Sequence, residues 1–172
     1  LESVHLWGSS MGGMIAQLIA IRYPGRLRSL ISVQSTTGNP SVGAADPDAL
    51  VDMVAQSGAA EHRDEAIEKA IGFARALINN ASVFDAELQR ARAEIAYERA
   101  YRPDGVSRQI HAVMAASPRD EQLRLLDCPT LVMHGDRDPL IHHSGGEHTA
   151  SLIPGARFVL IEGMGHDLHP AF

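Results

Sequence analysis

The chain has 172 residues, of which 45% are hydrophobic and 21% are charged, and its formal net charge at pH 7 is -6. This length corresponds to about one domain, and the composition is that of an ordinary globular protein, which argues against a disordered chain. The lysine and arginine residues are scattered and form no basic stripe, so we expect no nucleic acid partner.

Membrane insertion and secretion are also disfavoured by the sequence. No stretch approaches the roughly 20 apolar residues of a membrane span, and the N-terminal residues lack the charged-then-apolar layout of a secretory signal. The single cysteine, Cys128, excludes an internal disulfide. These features predict a cytoplasmic, bacterial-type protein with no membrane partner, although a chain that begins at Leu1 without a methionine could have lost a targeting segment.

The first predicted elements form one β-α-β unit. A strand over about 1–7 is followed by a helix over 11–23, and residues 27–33 form a second, buried strand. Trp7, at the end of the first strand, is expected in the core. One side of the helix is expected to be covered by its apolar residues, which are Met14, Ile15, Leu18 and Ile19.

The turn between this first strand and helix contains a candidate nucleophile. The pentapeptide G-S-S-M-G at 8–12 places a serine between two glycines in a strand-turn-helix context, which is the pattern of a nucleophile elbow. Such a turn is strained and needs small neighbours. Ser10 is therefore the candidate nucleophile, and Gly8 and Gly12 are expected to give it room.

The middle of the chain changes to amphipathic helices without a predicted strand. Helices are predicted over 47–56, 63–78, 84–101 and 106–116, with a short piece around 122–126 and a turn at 103–105. Asp46 before Pro47 is a good helix N-cap. We expect residues 46–117 to form a helical cap between a core segment over 1–45 and a second core segment over 118–172. The alternative is that some of these helices merely cross over the sheet.

The last part of the chain returns to strands, at 130–134 and 157–161, with a helix over 146–152 between them. Strands that alternate with helices predict an α/β fold with a mostly parallel sheet. In such sheets functional groups gather beyond the carboxyl ends of the strands. Ser10, Asp138 and His166 each fall just past a predicted strand end, so we expect them to meet there.

These three residue types support nucleophilic catalysis in combination. A serine hydroxyl needs a base to take its proton, and His166, on a glycine-containing loop, would take it and later return it to the leaving group. Asp138 would accept the other ring N–H of His166, with Asp136 as its rival. The backbone N–H of Met11, at the start of the elbow helix, would stabilise the oxyanion.

The chain resembles the α/β-hydrolase superfamily and, more narrowly, the bacterial esterase-like branch that includes the aclacinomycin methylesterases. The segments that carry the resemblance are G-S-S-M-G-G at 8–13, C-P-T-L-V-M-H-G-D-R-D-P at 128–139 and I-E-G-M-G-H at 161–166. The resemblance implies a partial α/β-hydrolase fold with a helical cap inserted between strands. Its Gly-x-x-Asp spacing from Gly135 selects Asp138 over Asp136.

The resemblance also implies an activity. A serine hydrolase of this type cleaves a small-molecule carboxylic ester through an acyl-enzyme intermediate and needs no metal or organic cofactor. Lactone hydrolysis, C–C bond hydrolysis and perhydrolysis are related activities of the same triad, and a non-catalytic protein on this scaffold is the alternative of another class.

Two parts of the family pattern have no counterpart in the sequence. They are the strands with a glycine-rich loop ahead of the elbow, which would supply the second oxyanion donor, and the helix after the histidine loop. We therefore expect an exposed edge at the elbow strand and a fragment of a longer product. The alternatives are a sheet completed by another chain, such as a homo-oligomer or a complementing chain, and a reduced architecture.

The remaining candidates have structural explanations. The spacing of His142, His143, Glu147 and His148 matches no metal motif and indicates a solvated face, so we expect no metal site. Cys128 is expected as a small buried filler, and His134 is expected to pack or hydrogen-bond under the acid loop. The large residues of the cap helices could either pack in a core or line an apolar substrate pocket, and the sequence does not decide between the two. They are Met53, Phe73, Leu77, Phe84, Tyr97, Tyr101 and Met114.

Overall fold

A parallel four-stranded sheet in the order β1-β2-β3-β4 forms the centre of the computed structural model, which describes residues 2–56 and 58–172. The strands are β1 (Val4–Ser9), β2 (Leu27–Val33), β3 (Thr130–Gly135) and β4 (Arg157–Ile161). All three neighbouring pairs are parallel, which confirms the predicted fold class. Leu1, the predicted start of the first strand, lies outside the described residues.

The strand register brings the predicted functional loops together at the carboxyl ends of the strands. Ser9 pairs with Val33, Val33 pairs with Met133, and Gly135 pairs with Ile161. The four strands therefore end at nearly the same level, and the segments that follow them share one rim. This is the rim where parallel sheets of this kind carry their sites.

Helices account for most of the remaining chain. They are α1 (Met11–Arg22), α2 (Pro47–Gln56), α3 (Arg63–Ile78), α4 (Ala86–Ala100), α5 (Pro103–Met114), α6 (Asp120–Leu123) and α7 (Ser144–Leu152), with a 3-10 turn over Pro24–Arg26. The predicted bounds of α2 and α3 are confirmed. The predicted turn at 103–105 is wrong, because Pro103 is the first residue of α5, where its fixed φ favours a helix start.

Local capping explains where α2 begins. The Asp46 carboxylate accepts the N–H of Asp48 at 2.9 Å and that of Ala49 at 3.2 Å. These bonds satisfy two of the amide groups that a helix start leaves without a partner. The expected N-cap is therefore confirmed.

The main apolar core lies between the sheet and the helices α1, α6 and α7. Its buried residues are Ala16, Ala20, Leu30, Leu123, Leu126, Leu152 and Ile153, with Cys128 partly buried against them. Of the apolar residues predicted to cover one side of α1, Met14 is buried, whereas Ile15 and Leu18 are exposed. The small residues Ala16 and Ala20 face the sheet instead, which lets the helix approach it closely.

The expected core position of Trp7 is also wrong. Its side chain is 54% exposed. β1 is one edge of the sheet among the described residues, as expected, and the odd positions of this strand turn away from the core. Successive side chains of a strand point to opposite faces of the sheet, so Leu6 packs against the core while Trp7 points to the other face.

The helices between β2 and β3 have a small apolar cluster of their own, in which Ile67, Ile71 and Ala93 pack with Phe84. α5 contributes no buried residue to it. That residues 46–117 act as a separate cap stays a prediction. Over residues 2–56 and 58–172, no helix combines the length and the apolar character that crossing a membrane requires.

Candidate active site

Ser10 stands on a strained turn between β1 and α1. Its φ of 55° and ψ of -125° lie in a region that non-glycine residues rarely adopt. Neighbouring groups hold this backbone in place: the Ser10 N–H donates to the Val33 carbonyl at 2.9 Å, and the Ser10 carbonyl accepts the hydroxyl of Ser35 at 2.9 Å. The turn projects the Ser10 side chain at the rim of the sheet.

Gly8 and Gly13 make the turn possible, whereas Gly8 and Gly12 were expected to do so. A Cβ at Gly8 would overlap the backbone of Gly12, and a Cβ at Gly13 would lie 2.7 Å from the Cβ of Ser35. A Cβ at Gly12 would meet nothing within 4 Å. The expected need for Gly12 is therefore wrong, and Gly13 is the residue that lets α1 pass close to the end of β2.

His166 lies between Ser10 and Asp138. Its Nε2 is 2.9 Å from the Ser10 hydroxyl oxygen, and its Nδ1 is 2.7 Å from Oδ2 of Asp138. The ring is mostly buried. The three residues that the sequence places past separate strand ends are thus brought within hydrogen-bonding distance of one another, in the order hydroxyl, imidazole, carboxylate.

The histidine loop is fixed by close packing of its backbone against the end of α3. The His166 N–H donates to the Leu77 carbonyl at 2.7 Å. A Cβ on Gly165 would overlap the carbonyl oxygens of Leu77 and Ile78. A glycine before His166 is therefore required for this approach, and the loop position depends on the helical segment between the strands.

Asp138 is the carboxylate that contacts His166. Its Oδ1 accepts the N–H groups of Leu140 and Ile141, at 2.9 Å and 2.8 Å. Burial alone would raise the pKa of Asp138, but hydrogen bonds from His134 and His166 outweigh it and lower this pKa to about 2. Asp138 is therefore ionised at neutral pH.

The rival aspartates have other partners. Asp136 accepts the N–H of Gly163 at 2.7 Å, which ties the acid loop to the histidine loop. Asp167, beside His166, has its Oδ2 3.7 Å from Nη1 of Arg92. Neither carboxylate has the His166 ring as its partner, so Asp138 rather than Asp136 is the acid of this group.

Gln34 is a part of the site that the sequence analysis missed. It follows β2 directly, adopts a φ of 49° and is buried. Its Nε2 donates to the Gly165 carbonyl at 2.6 Å, while its Oε1 accepts the hydroxyl of Ser9 at 3.2 Å. One amide side chain thus joins the neighbour of the nucleophile to the neighbour of the histidine. Its position just past a strand end is the only signal that could have indicated it.

Met11 lies where the predicted oxyanion donor should be. α1 begins at this residue, directly after Ser10. Across the described residues, no hydrogen-bond acceptor is recorded for the Met11 N–H. An N–H at a helix start carries partial positive charge, so it can receive a developing oxyanion.

A cavity of about 380 Å³ opens above Ser10. It is lined by Ser9, Ser10, Gln34, Phe73, Leu77, Leu140, His166, Asp167 and Leu168. Phe73 also lines a second, mostly apolar cavity of about 540 Å³ between α3 and α5. The two cavities therefore share one aromatic wall.

Among the described side chains, the other large residues of the helical segment do not line the cavity above Ser10, although Tyr101 lines the second cavity with Phe73. Phe84 packs in the α3–α4 cluster, and Tyr97 and Tyr101 line a cavity with Pro103. Met114 is 79% exposed. The side chain of Met53 lies outside the described residues.

The cluster of histidines near α7 is engaged in local contacts. His142 lies 3.0 Å from the Ser144 hydroxyl, His143 lies 3.1 Å from Glu147, and His148 lies 2.9 Å from Asp120. In the described part of the chain, no group of three or more histidine, cysteine or acidic side chains is arranged to hold a metal ion.

Known proteins match both the sequence and the fold. The family profile for the alpha/beta hydrolase fold matches residues 1–170. The chain is 29% identical to the rhodomycin D methylesterase DnrP of Streptomyces peucetius, covering 98% of this chain and 62% of the relative. It is 27% identical to a 2-hydroxy-6-oxononadienedioate/2-hydroxy-6-oxononatrienedioate hydrolase of Cupriavidus pinatubonensis, covering 96% of this chain and 56% of the relative.

A solved structure agrees with these matches. The esterase RhEst1 from Rhodococcus sp. ECU1013 superimposes with a TM-score of 0.64 at 27% identity, covering 94% of this chain and 57% of the esterase. The chain belongs to the α/β-hydrolase fold family. It spans 56% to 62% of the length of these three relatives.

Proposed function

We propose that this chain carries the catalytic centre of a serine hydrolase that cleaves carboxylic esters of uncharged, apolar or aromatic small molecules. The observation that carries the proposal is the hydrogen-bonded series from the Ser10 hydroxyl through His166 to Asp138, at 2.9 Å and 2.7 Å. A methylesterase and an esterase among the similar proteins support the same reaction class.

In the proposed reaction, His166 Nε2 takes the hydroxyl proton as Ser10 Oγ attacks the ester carbonyl. Asp138 accepts the Nδ1–H of His166 and stabilises the imidazolium that forms. The tetrahedral oxyanion receives the Met11 N–H. Collapse of the tetrahedral intermediate expels the alcohol, which takes its proton from His166. Water then attacks the acyl group on Ser10 while His166 takes a proton from it. The acid is released when Ser10 Oγ leaves and recovers its proton from His166.

The cavity above Ser10 supports the substrate class. Phe73, Leu77, Leu140 and Leu168 give it apolar walls, and no lysine or arginine is among its described lining residues. An anionic ester group would lose its hydration there without a counter-charge, and the one acidic residue among the lining residues, Asp167, would repel it. Uncharged acyl or aromatic groups suit these walls better than phosphate-bearing groups.

A fluorophosphonate probe tests the proposal. Such a probe modifies a serine only when a base activates it, so we expect labelling of the parent protein and none of Ser10→Ala or His166→Ala. Ser41→Ala, at an exposed serine, is the matched control and should label like the parent. Equal labelling of Ser10→Ala and parent, or no labelling of a folded parent, would refute the activated nucleophile.

C–C bond hydrolysis is a second candidate, because the Cupriavidus relative is named for hydrolysis of a 2-hydroxy-6-oxo dienedioate. The same triad would serve it. Decay of the visible absorbance of such a dienoate, set against hydrolysis of short aryl esters, separates the two candidates. Dienoate turnover without ester turnover would favour C–C hydrolysis, and Ser10→Ala should abolish whichever activity is found.

A further inference from the structure

A second histidine contacts the carboxylate oxygen that His166 uses. Oδ2 of Asp138 lies 2.7 Å from Nδ1 of His166 and 3.0 Å from Nε2 of His134. His134 Nε2 also lies 2.8 Å from the carbonyl oxygen of Ile141. The His134 side chain is 0% exposed, so water does not compete for these contacts.

The surroundings of His134 determine where its proton lies. Its Nε2 faces a carboxylate and a carbonyl, which are both acceptors, so this nitrogen must carry hydrogen. Its Nδ1 is buried, and no partner for it exists among the described residues. A proton on Nδ1 would be a buried donor without an acceptor, which is costly. The arrangement therefore favours the Nε2–H tautomer.

Packing fixes the ring in this orientation. The Cα of Gly146 on α7 lies against the Nδ1 side, where an added Cβ would be 2.6 Å from Nδ1. The Nε2 side is closed by Asp138 and Ile141. His134 is therefore held between α7 and the acid loop.

The geometry points to His134 as a positioning residue of the hydrolase, whose Nε2–H holds the Asp138 carboxylate in place and shares the oxygen that receives the N–H of His166. This inference rests on the proposed function, since it gives His166 the role of base. His134 does not touch the Ser10 hydroxyl or the substrate cavity as described. It acts on the reaction through Asp138 alone.

Because His134 and His166 both donate to Oδ2 of Asp138, each should weaken the hydrogen bond of the other. A donor N–H stabilises the ionised carboxylate and reduces the charge that this oxygen offers to another donor. Removal of His134 should strengthen the remaining His166–Asp138 hydrogen bond while leaving the Asp138 side chain less firmly fixed. Two other carboxylates of these loops have contacts of their own: Asp136 accepts the Gly163 N–H, and Oδ2 of Asp167 lies 3.7 Å from Nη1 of Arg92 without a hydrogen bond.

Nuclear magnetic resonance of the ¹⁵N-histidine-labelled protein tests the tautomer without any substitution. We expect His134 to show hydrogen on Nε2 and a bare Nδ1. Hydrogen on Nδ1, with or without one on Nε2, would contradict the inference. This measurement needs no turnover, so it stays informative even if the ester hydrolase proposal fails.

A matched pair of variants tests the effect on His166. His134→Met has similar volume without an N–H, whereas His134→Gln keeps a donor near the Nε2 position. In the Met variant the Nδ1 proton resonance of His166 should move to lower field, and ester turnover should fall roughly 10-fold with little change in KM. The Gln variant should restore the resonance at least halfway. A residue with a structural role only would lower the melting temperature and leave this resonance unchanged.

A third variant covers the case in which His134→Met does not fold. Gly146→Ala leaves the imidazole chemistry intact but forces the ring to shift, because its Cβ would meet Nδ1 at 2.6 Å. Its His166 resonance should change position, and an unchanged resonance in a folded Gly146→Ala protein overturns the inference. The loss of probe labelling in Ser10→Ala addresses the proposed function separately.

Discussion

Gln34 is bonded to Gly165, the residue before His166, by a hydrogen bond of 2.6 Å from its Nε2 to the Gly165 carbonyl oxygen. The same Nε2 lies 3.5 Å from the carbonyl oxygen of Asp167, the residue after His166. A side chain at the end of β2 therefore holds both flanks of the histidine. The positive φ of Gln34 indicates that this position is maintained at some cost in backbone strain.

Replacement of Gln34 should loosen the histidine loop. Gln34→Leu leaves the buried Gly165 carbonyl without its donor, so we expect a loss of about 1–3 kcal/mol in the free energy of unfolding. Turnover should fall more than substrate binding, because a displaced imidazole affects the chemical step. Urea unfolding and ester kinetics measure the two effects. Gln122→Leu, at an exposed glutamine, is the control, and equal effects of the two variants would contradict the bridging role.

Alanine substitutions at the two glycines after Ser10 should change the stability of the protein in different directions. Gly13→Ala places a Cβ 2.7 Å from that of Ser35, and we expect it to destabilise the protein by about 1–3 kcal/mol through overpacking. Gly12→Ala meets open space inside α1 and should be neutral or stabilise by up to about 1 kcal/mol. Chemical denaturation of the two variants checks this. A Gly12→Ala protein as unstable as Gly13→Ala would contradict the open space beside Gly12.

The predictable parts of the fold were those with local causes. The bounds of α2 follow from the Asp46 cap and Pro47 at the first helical position, and the serine turn follows from its place between a strand and a helix and from Gly8 before it. The buried face of α1 did not follow, because the large apolar residues Ile15 and Leu18 are exposed while the small Ala16 and Ala20 pack on the sheet. Hydrophobicity alone does not show which face of a helix is small enough to pack closely against the sheet.

The candidate site divides in the same way. Ser10, Asp138 and His166 could be predicted, since each follows a strand and the strands are parallel. Gln34 could not, because its bond to Gly165 joins two loops that are far apart in the chain. The expectation that His134 packs or hydrogen-bonds under the acid loop is confirmed by its contacts with Asp138 and Ile141. Pro103 shows a further limit: Pro-Asp-Gly fits a turn and a helix start equally well by sequence.

Acid should destabilise the protein through Asp138. Its pKa in the folded state is about 2, below the ordinary value of 3.8, so its ionised form stabilises the fold above about pH 4, and this stabilisation is lost as pH falls towards 2. The contribution is about 2 kcal/mol. Urea unfolding between pH 5 and 2.5 should therefore show a steeper loss for the parent than for Asp138→Asn. Parallel curves for the two proteins would contradict the lowered pKa.

Arg119 should anchor the helical segment where it returns to the sheet. Its side chain is buried, its Nη2 donates to the Thr36 carbonyl at 2.8 Å, and its Nε donates to the Gln17 amide oxygen at 3.2 Å. Its backbone N–H donates to the Thr37 carbonyl at 3.1 Å. The chain leaves β2 near these threonines, so both ends of the helical segment are tied together at one point.

Arg119→Met removes the side-chain bonds of this anchor while it keeps most of the apolar stem. We expect a loss of about 2–4 kcal/mol in the free energy of unfolding, because the buried amide oxygen of Gln17 and the partly buried carbonyl of Thr36 lose a charged donor. Arg119→Lys should recover only part of it, since one ammonium does not reproduce the spread of the guanidinium donors. Arg124→Met, at an exposed arginine of the same segment, should cost less than about 0.5 kcal/mol. Equal losses for Arg119→Met and Arg124→Met in urea unfolding would show that the buried bonds do not anchor the segment.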